Sequence, residues 1–305
     1  MIFSAILTIV GLSLFEAISS IDNAIINAEV LHTMGARARR WFLTWGMFIA
    51  VFLVRGLLPF AIIWAFNTSL NPMQILSAAW SSDPLVLDSI EKSAPILLVA
   101  GGVFLIFLFL HWLFLEDKNL GLPRTEKFFM AQGVWFYATV SILLAVISWF
   151  ALKESNLMGF GAVVGSSLFF ITHGFKQNAE EQEKKLLGSA HSDLSKLFFL
   201  EIIDTTFSID GVLGAFAFTL SVPLILLGNG LGALIVRELT IRNIERIKKY
   251  AYLKNGAMYS ILVLGIIMVL HSFHFDIPEY LSPLATFLIV GFFFWKSKIE
   301  LRSAI

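Results

Sequence analysis

Apolar runs of about 20 residues recur along this chain, the length a helix needs to cross the hydrocarbon core of a bilayer. They lie near 2–31, 41–66, 95–115, 128–152, 157–175, 196–220, 222–239, 256–274 and 279–297. In lipid every backbone N–H and C=O must be satisfied within the segment, so runs of this length can only be helices. The expected fold is all-α, a polytopic membrane protein with about nine transmembrane helices. Composition agrees: 57% of the 305 residues are hydrophobic and 14% charged, where soluble domains carry about 45–50% and about 25%. Mean hydropathy is +0.81. The first run is longer than a straight crossing requires, so it must tilt, break or protrude. The connection 67–94 holds Asn71-Pro72 and Asp83-Pro84, both turn-starting pairs, and reads as a folded loop. Met1-Ile2-Phe3 leads into apolar sequence without a basic region, so the first segment is expected to be retained as a helix and not cleaved.

Lysine plus arginine equals aspartate plus glutamate at 22 each, which gives no reason to expect a nucleic-acid partner. The absence of cysteine excludes disulfides and thiolate metal sites, leaving oxygen and imidazole as ligands. Where the positive charges fall is more informative than their number. Alternate connections carry Arg37, Arg39 and Arg40; Lys118, Arg124 and Lys127; Lys176, Lys184, Lys185 and Lys196; Arg237 through Lys254; and Lys296, Lys298 and Arg302, together 19 of the 22 basic residues. By the positive-inside rule these face the cytoplasm. The expectation is a multi-pass protein of the cell membrane with its N-terminus outside and its C-terminus in the cytoplasm.

Two stretches within this apolar sequence echo each other. Glu16 is followed after five residues by Asp22, and Asp204 after five by Asp210; each stretch ends in Ser-Ile-Asp, at Ser20-Ile21-Asp22 and Ser208-Ile209-Asp210. A carboxylate at the bilayer centre costs about 2.5–3.5 kcal/mol on insertion scales and usually marks an ion or proton path. The charge map makes the two stretches antiparallel. Arg55 and Arg237 then fall in the helix after each. Helices 1–4 and 6–9 read as inverted repeats joined by helix 5, within a single transmembrane domain over 1–305: first repeat 1–152, linking helix and cytoplasmic loop 153–195, second repeat 196–305. Inverted repeats place substrate near the midplane, between the halves.

Positions six apart on a helix differ by 240°. Glu16 and Asp22 can meet at one ion only if the helix unwinds between them; otherwise they serve adjacent sites. Asp210-Gly211 is a plausible break, since glycine tolerates distorted backbone. The candidate metal ligands are Glu16, Asp22, Asn23, Asp204 and Asp210, with Ser20, Ser208 and Glu201 as lesser ones. Asn27 and Thr205 fall on the same stripes. Such oxygen ligands suit Mg²⁺, Ca²⁺ or Mn²⁺. Four carboxylates exceed what one divalent ion needs, which points to two ions or to a carboxylate that titrates and so to proton antiport. Arg55, the basic residue deep in a span, is a charge partner for the acids, either structural or a counter-charge for the empty site. Glu29 lies near a helix end, where it can reach headgroups and water. His173 could ligate or relay protons; His32, His111, His191, His271 and His274 read as interfacial or loop-bound. Gly159, Gly161 and Gly165 permit close helix approach.

At these residues the chain resembles the TerC family of integral membrane proteins, in particular its YkoY-type members. Glu16 with Asp22-Asn23 matches the first-half pattern. Asp204, Asp210 and Phe216-Ala217-Phe218-Thr219 match the second, and Gly228-Asn229 with Leu234-Ile235-Val236-Arg237 echoes a later stretch. Gly211 departs from the pattern, standing where the family has serine. The resemblance implies export of a divalent metal ion, most specifically Mn²⁺. The expected function is a transporter, not an enzyme, working by alternating access in the lipid bilayer, with the divalent cation (Mn²⁺ or Ca²⁺) as cargo and no prosthetic group. Two other readings stand beside it: a membrane scaffold whose acids are structural, and an intramembrane aspartyl hydrolase. The hydrolase lacks the Gly-x-Gly-Asp setting such an enzyme would need.

Overall fold

The computed structural model describes residues 2–46, 48–49, 54–66, 71–78, 84–187, 192–238 and 247–303, and its regular elements among them are all helical. They are α1 Ile2–Ser19, α2 Ile21–His32, α3 Ala36–Trp41, a π-helical turn Phe42–Gly46, α4 Arg55–Phe66, α5 Pro72–Ala78, α6 Pro84–Leu115 and α7 Pro123–Ala131. After a 3₁₀ turn at Gly133–Trp135 follow α8 Phe136–Glu154, α9 Asn156–Leu187, α10 Asp193–Ala215, α11 Val222–Glu238, α12 Leu253–Ser272 and α13 Leu281–Ser303.

Five of these helical segments are long and apolar enough to cross a membrane: Ile2–Ser19, Ile90–Leu115, Gly133–Glu154, Asn156–Asn178 and Leu253–Ser272. α10 carries Glu201, Asp204 and Asp210 within its apolar length, and α11 has 17 residues, so composition alone does not mark either as a span. α6 sits at the centre, with 89% of its apolar stretch buried inside the protein, against 22% for the stretch ending in α8. The outer face of α8 presents Tyr137, Ile142, Trp149 and Phe150, apolar surface suited to lipid. α6 and α12 make the most extensive helix pairing. They approach closely because a Cβ on Gly102 would come within 2.9 Å of the Gly265 carbonyl oxygen. Gly161 and Gly165 of α9 lie equally close to the α6 backbone at Ile96 and Ala100, as small residues at membrane-helix contacts do.

One expectation is met and three change. The first run is interrupted at Ser20, between Glu16 and Asp22, where α1 gives way to α2. The interruption is slight: Ser20 and Ala24 still donate to the carbonyls four residues back. No break falls at Asp210-Gly211, because α10 continues to Ala215 and the chain turns only at 216–221. Within the expected loop 67–94, α5 forms and α6 begins at Pro84, proline being well suited to the first helical position. The basic connection expected to hold Lys176, Lys184, Lys185 and Lys196 is helical to Leu187, and Lys196 is buried with its ammonium on the Thr33 carbonyl. His191, Arg242 and Arg246 lie outside the described residues.

Candidate functional site

α1–α2 and α10 run antiparallel in one continuous register. Lys196 reaches Thr33, Asn23 reaches Asp204, Glu16 lies against Gly211, Phe15 against Gly214, and Gly11 against Phe218 just past the helix end. As one residue number falls the other rises in step. Glu16 is therefore level with Asp210-Gly211, and Asp22 with Asp204. Six residues advance a helix about 9 Å and 240°, so each helix presents its two acids at different heights and on different faces. Glu16 and Asp204 turn to one side and Asp22 and Asp210 to the other. The two acids of each motif thus face two different sets of neighbours.

The first site is buried. Arg55, 3% exposed at the start of α4, reaches between Glu16 and Asp204, themselves 0% and 4% exposed. Its Nη2 lies 2.8 Å and its Nε 3.0 Å from Glu16 Oε1, and its Nη1 lies 3.7 Å from Asp204 Oδ2. Ser20 Oγ donates to the same Glu16 oxygen at 2.8 Å, and the Asn23 amide donates to Asp204 Oδ1. An interior ion pair must be held by such additional hydrogen bonds to offset its desolvation. Glu16 Oε2, Asp204 Oδ2, Asn23 Oδ1, Asn27 Oδ1 and the Asn229 amide have no hydrogen-bond partner among the described residues. Asn27, Arg55, Asp204 and Arg237 line a void of about 10 Å³, roughly the room one water takes. A Cβ on Gly211 would collide with Glu16 Oε2. Glycine at this position leaves room for the Glu16 carboxylate.

The second site opens on a cleft of about 780 Å³. Asp22 pairs with Lys254 of α12 at 2.8 Å, and the same ammonium lies 2.9 Å from Glu116, just beyond α6. Asp210 pairs with Lys176 of α9, and Asp210 Oδ1 makes no hydrogen bond among the described residues. His111 Nδ1 is 3.4 Å from Glu116 Oε1, near enough for charge attraction but not aligned as a hydrogen bond. The ring of His173 lies 3.8 Å from that of His111, centroid to centroid. All of these groups line the cleft. Burial would raise the Glu116 carboxyl, but His111 and Lys254 more than reverse that and hold it down to about 2.

Several expected ligands stand apart. Ser208 gives its hydroxyl to the Asp204 carbonyl, and Thr205, exposed, gives its own to Glu201; hydroxyls used in this way serve the local helix. Glu201 is half-buried against Gly46 of the π-helical turn. Glu29 forms an exposed pair with Lys248 at 3.1 Å. Among the described residues, no three His, Cys, Asp or Glu side chains assemble into a ready metal-binding group. Lys176, Lys254, Glu116 and His111 were not expected at a site. The lysines counted as loop charges, although His173 and Lys176, three apart on α9, share a helix face.

Buried ionic networks on apolar helices, with an aromatic outer surface, define a membrane protein. The chain belongs to the family described as Protein of unknown function (DUF475), which matches residues 21–304. It is 33% identical over 80 residues to the "Uncharacterized membrane protein YceF" of Bacillus subtilis (strain 168), a match covering 26% of this chain and 31% of that protein. The match thus spans about a third of that relative's length. No solved structure matches. The likeness to the TerC family rests on the motif residues alone.

Proposed function

We propose that the protein is a cation transporter in which basic side chains occupy the carboxylate sites until the cargo displaces them. The observation that carries this reading is that Asp22 and Asp210, from antiparallel helices, line one cleft of about 780 Å³, each held by a lysine from another helix. A bare carboxylate there would be costly. An ammonium neutralises it without filling the cleft, and an arriving cation can take its place. Asp22 and Asp210 would receive the ion; Glu16, Asp204 and Arg55 form the buried, ion-paired layer behind them. The oxygen ligands favour a hard divalent ion, and the resemblance to the TerC family makes Mn²⁺ the first cargo to test. Lys176 and Lys254 line the cleft, on the side that the positive-inside rule assigns to the cytoplasm. It would therefore admit an ion for export, by rocking of two inverted repeats about the midplane.

The test is Mn²⁺ flux in proteoliposomes containing the wild type, D22N or D210N. Each variant should lose roughly tenfold or more of the flux, as expected when an interaction needed for transport is removed; unchanged flux would overturn the reading.

The pairing of Glu16, Asp22, Asp204 and Asp210 with basic residues also favours a second reading, a scaffold whose acids only hold helices together. Such a protein would show no thermal stabilisation by Mn²⁺ in detergent.

A further inference from the structure

Charged and titratable groups run around the cleft from one motif aspartate toward the other: Asp22, Lys254, Glu116 and His111 in successive contact, then His173 against His111; one turn along α9 from His173, Lys176 pairs with Asp210. Cation displacement needs only the lysines. It gives no role to the histidines in the middle, and their geometry is unusual. The two rings lie 3.8 Å apart on different helices, α6 and α9. His111 is buried among Phe136 and Phe169, with its Nδ1 turned toward Glu116 but making no hydrogen bond among the described residues.

Building on the transport reading, we propose that the His111–His173 pair is the proton site of the transporter, holding one proton when the cleft is empty of cargo and losing it when a cation enters. At this separation, in an environment less polarisable than water, two imidazolium charges repel strongly. Rings this close can share one positive charge but not hold two facing each other. The carboxylate beside it stays ionised, since Glu116 is held down to about 2, so the proton resides on imidazole. The other ionisable groups facing the same cleft are Asp22 on α2, Asp117 after α6, Tyr137 on α8, Lys176 on α9, Asp210 on α10 and Lys254 on α12. A divalent ion bound between Asp22 and Asp210 frees both ammonium groups beside the pair. The added positive charge expels the imidazolium proton to water, and a proton returns after the ion leaves. The coupling ion is thus H⁺, exchanged against the cargo through histidine and not through the motif carboxylates.

The test uses the full-length protein in proteoliposomes with a lumenal pH dye, following Mn²⁺ and H⁺ together. H173Q, on the cleft wall, and the double variant H111F/H173Q, whose phenylalanine suits the aromatic surroundings of His111, are compared with wild type. The wild type should accumulate Mn²⁺ against its gradient when a pH gradient is applied. Both variants should lose roughly tenfold of the proton-driven accumulation, and the downhill Mn²⁺ flux that remains should no longer be accompanied by a lumenal pH change. Downhill flux also reports folding, and H173Q alone suffices should the double variant fail to fold. Variants that keep wild-type proton-driven accumulation overturn the histidine proposal and leave the transport reading standing. A wild type without Mn²⁺ flux overturns the transport reading itself.

Discussion

Glu16 rests its second carboxylate oxygen against Gly211, on the opposing helix, while Arg55 holds the first. The carboxylate thus occupies the space beside the glycine where α1 and α10 pass each other. G211A should therefore push Glu16 away from Arg55 and destabilise the protein by about 1–3 kcal/mol, the usual cost of overpacking a tight site. Thermal unfolding in detergent would show it as a drop of several degrees, and an unchanged midpoint would mean the contact is slack.

Removing Arg55 leaves two buried carboxylates without their counter-charge. R55M should cost about 3–5 kcal/mol, the range found when one partner of a buried pair is lost. Adding E16Q should restore a substantial part of that stability, because the two changes act on one interaction. Additive losses in the four proteins of the cycle would show that Arg55 and Glu16 are not energetically coupled.

Lys254 holds Asp22 and Glu116 at once. If cargo must displace that ammonium, K254M removes the competitor, and half-maximal thermal stabilisation by Mn²⁺ should fall to roughly a tenth of the wild-type concentration. Weaker binding in the variant would argue against displacement.

The Glu116 carboxyl is held at about 2, below its usual 4.5, by His111 and Lys254 against the opposing effect of burial. A depressed carboxylate contributes stability above its unfolded value and loses it as the pH falls toward its folded value. The stability difference between wild type and E116Q should thus be constant above about pH 4.5 and shrink between about 4.5 and 2. A difference that stays flat through that window would show that Glu116 gains nothing from its partners.

The all-helical membrane character was legible because the bilayer imposes a length and a composition that a single run of sequence displays. The acids were legible as a pair of costly repeats, and their six-residue spacing already forbade Glu16 and Asp22 from sharing a face. Arg55 stood out as a basic residue within an apolar run. Lys176 and Lys254 did not, because a lysine at the end of a helix looks the same whether it reaches water or turns back to a carboxylate. His111 was hidden for a similar reason: a lone histidine acquires meaning only from the ring beside it, 62 positions away in His173.

What the sequence by itself determined is periodic and local: helices where apolar length demands them, acids buried at fixed helical phase, and charge gathered on alternate connections. The tertiary structure alone decided the register of α1–α2 against α10, and with it which acids face each other. It also decided that Arg55 locks one face while lysines from α9 and α12 guard the other. Those choices depend on contacts between helices far apart in the chain, set by where glycines let backbones approach and where a buried charge finds its partner.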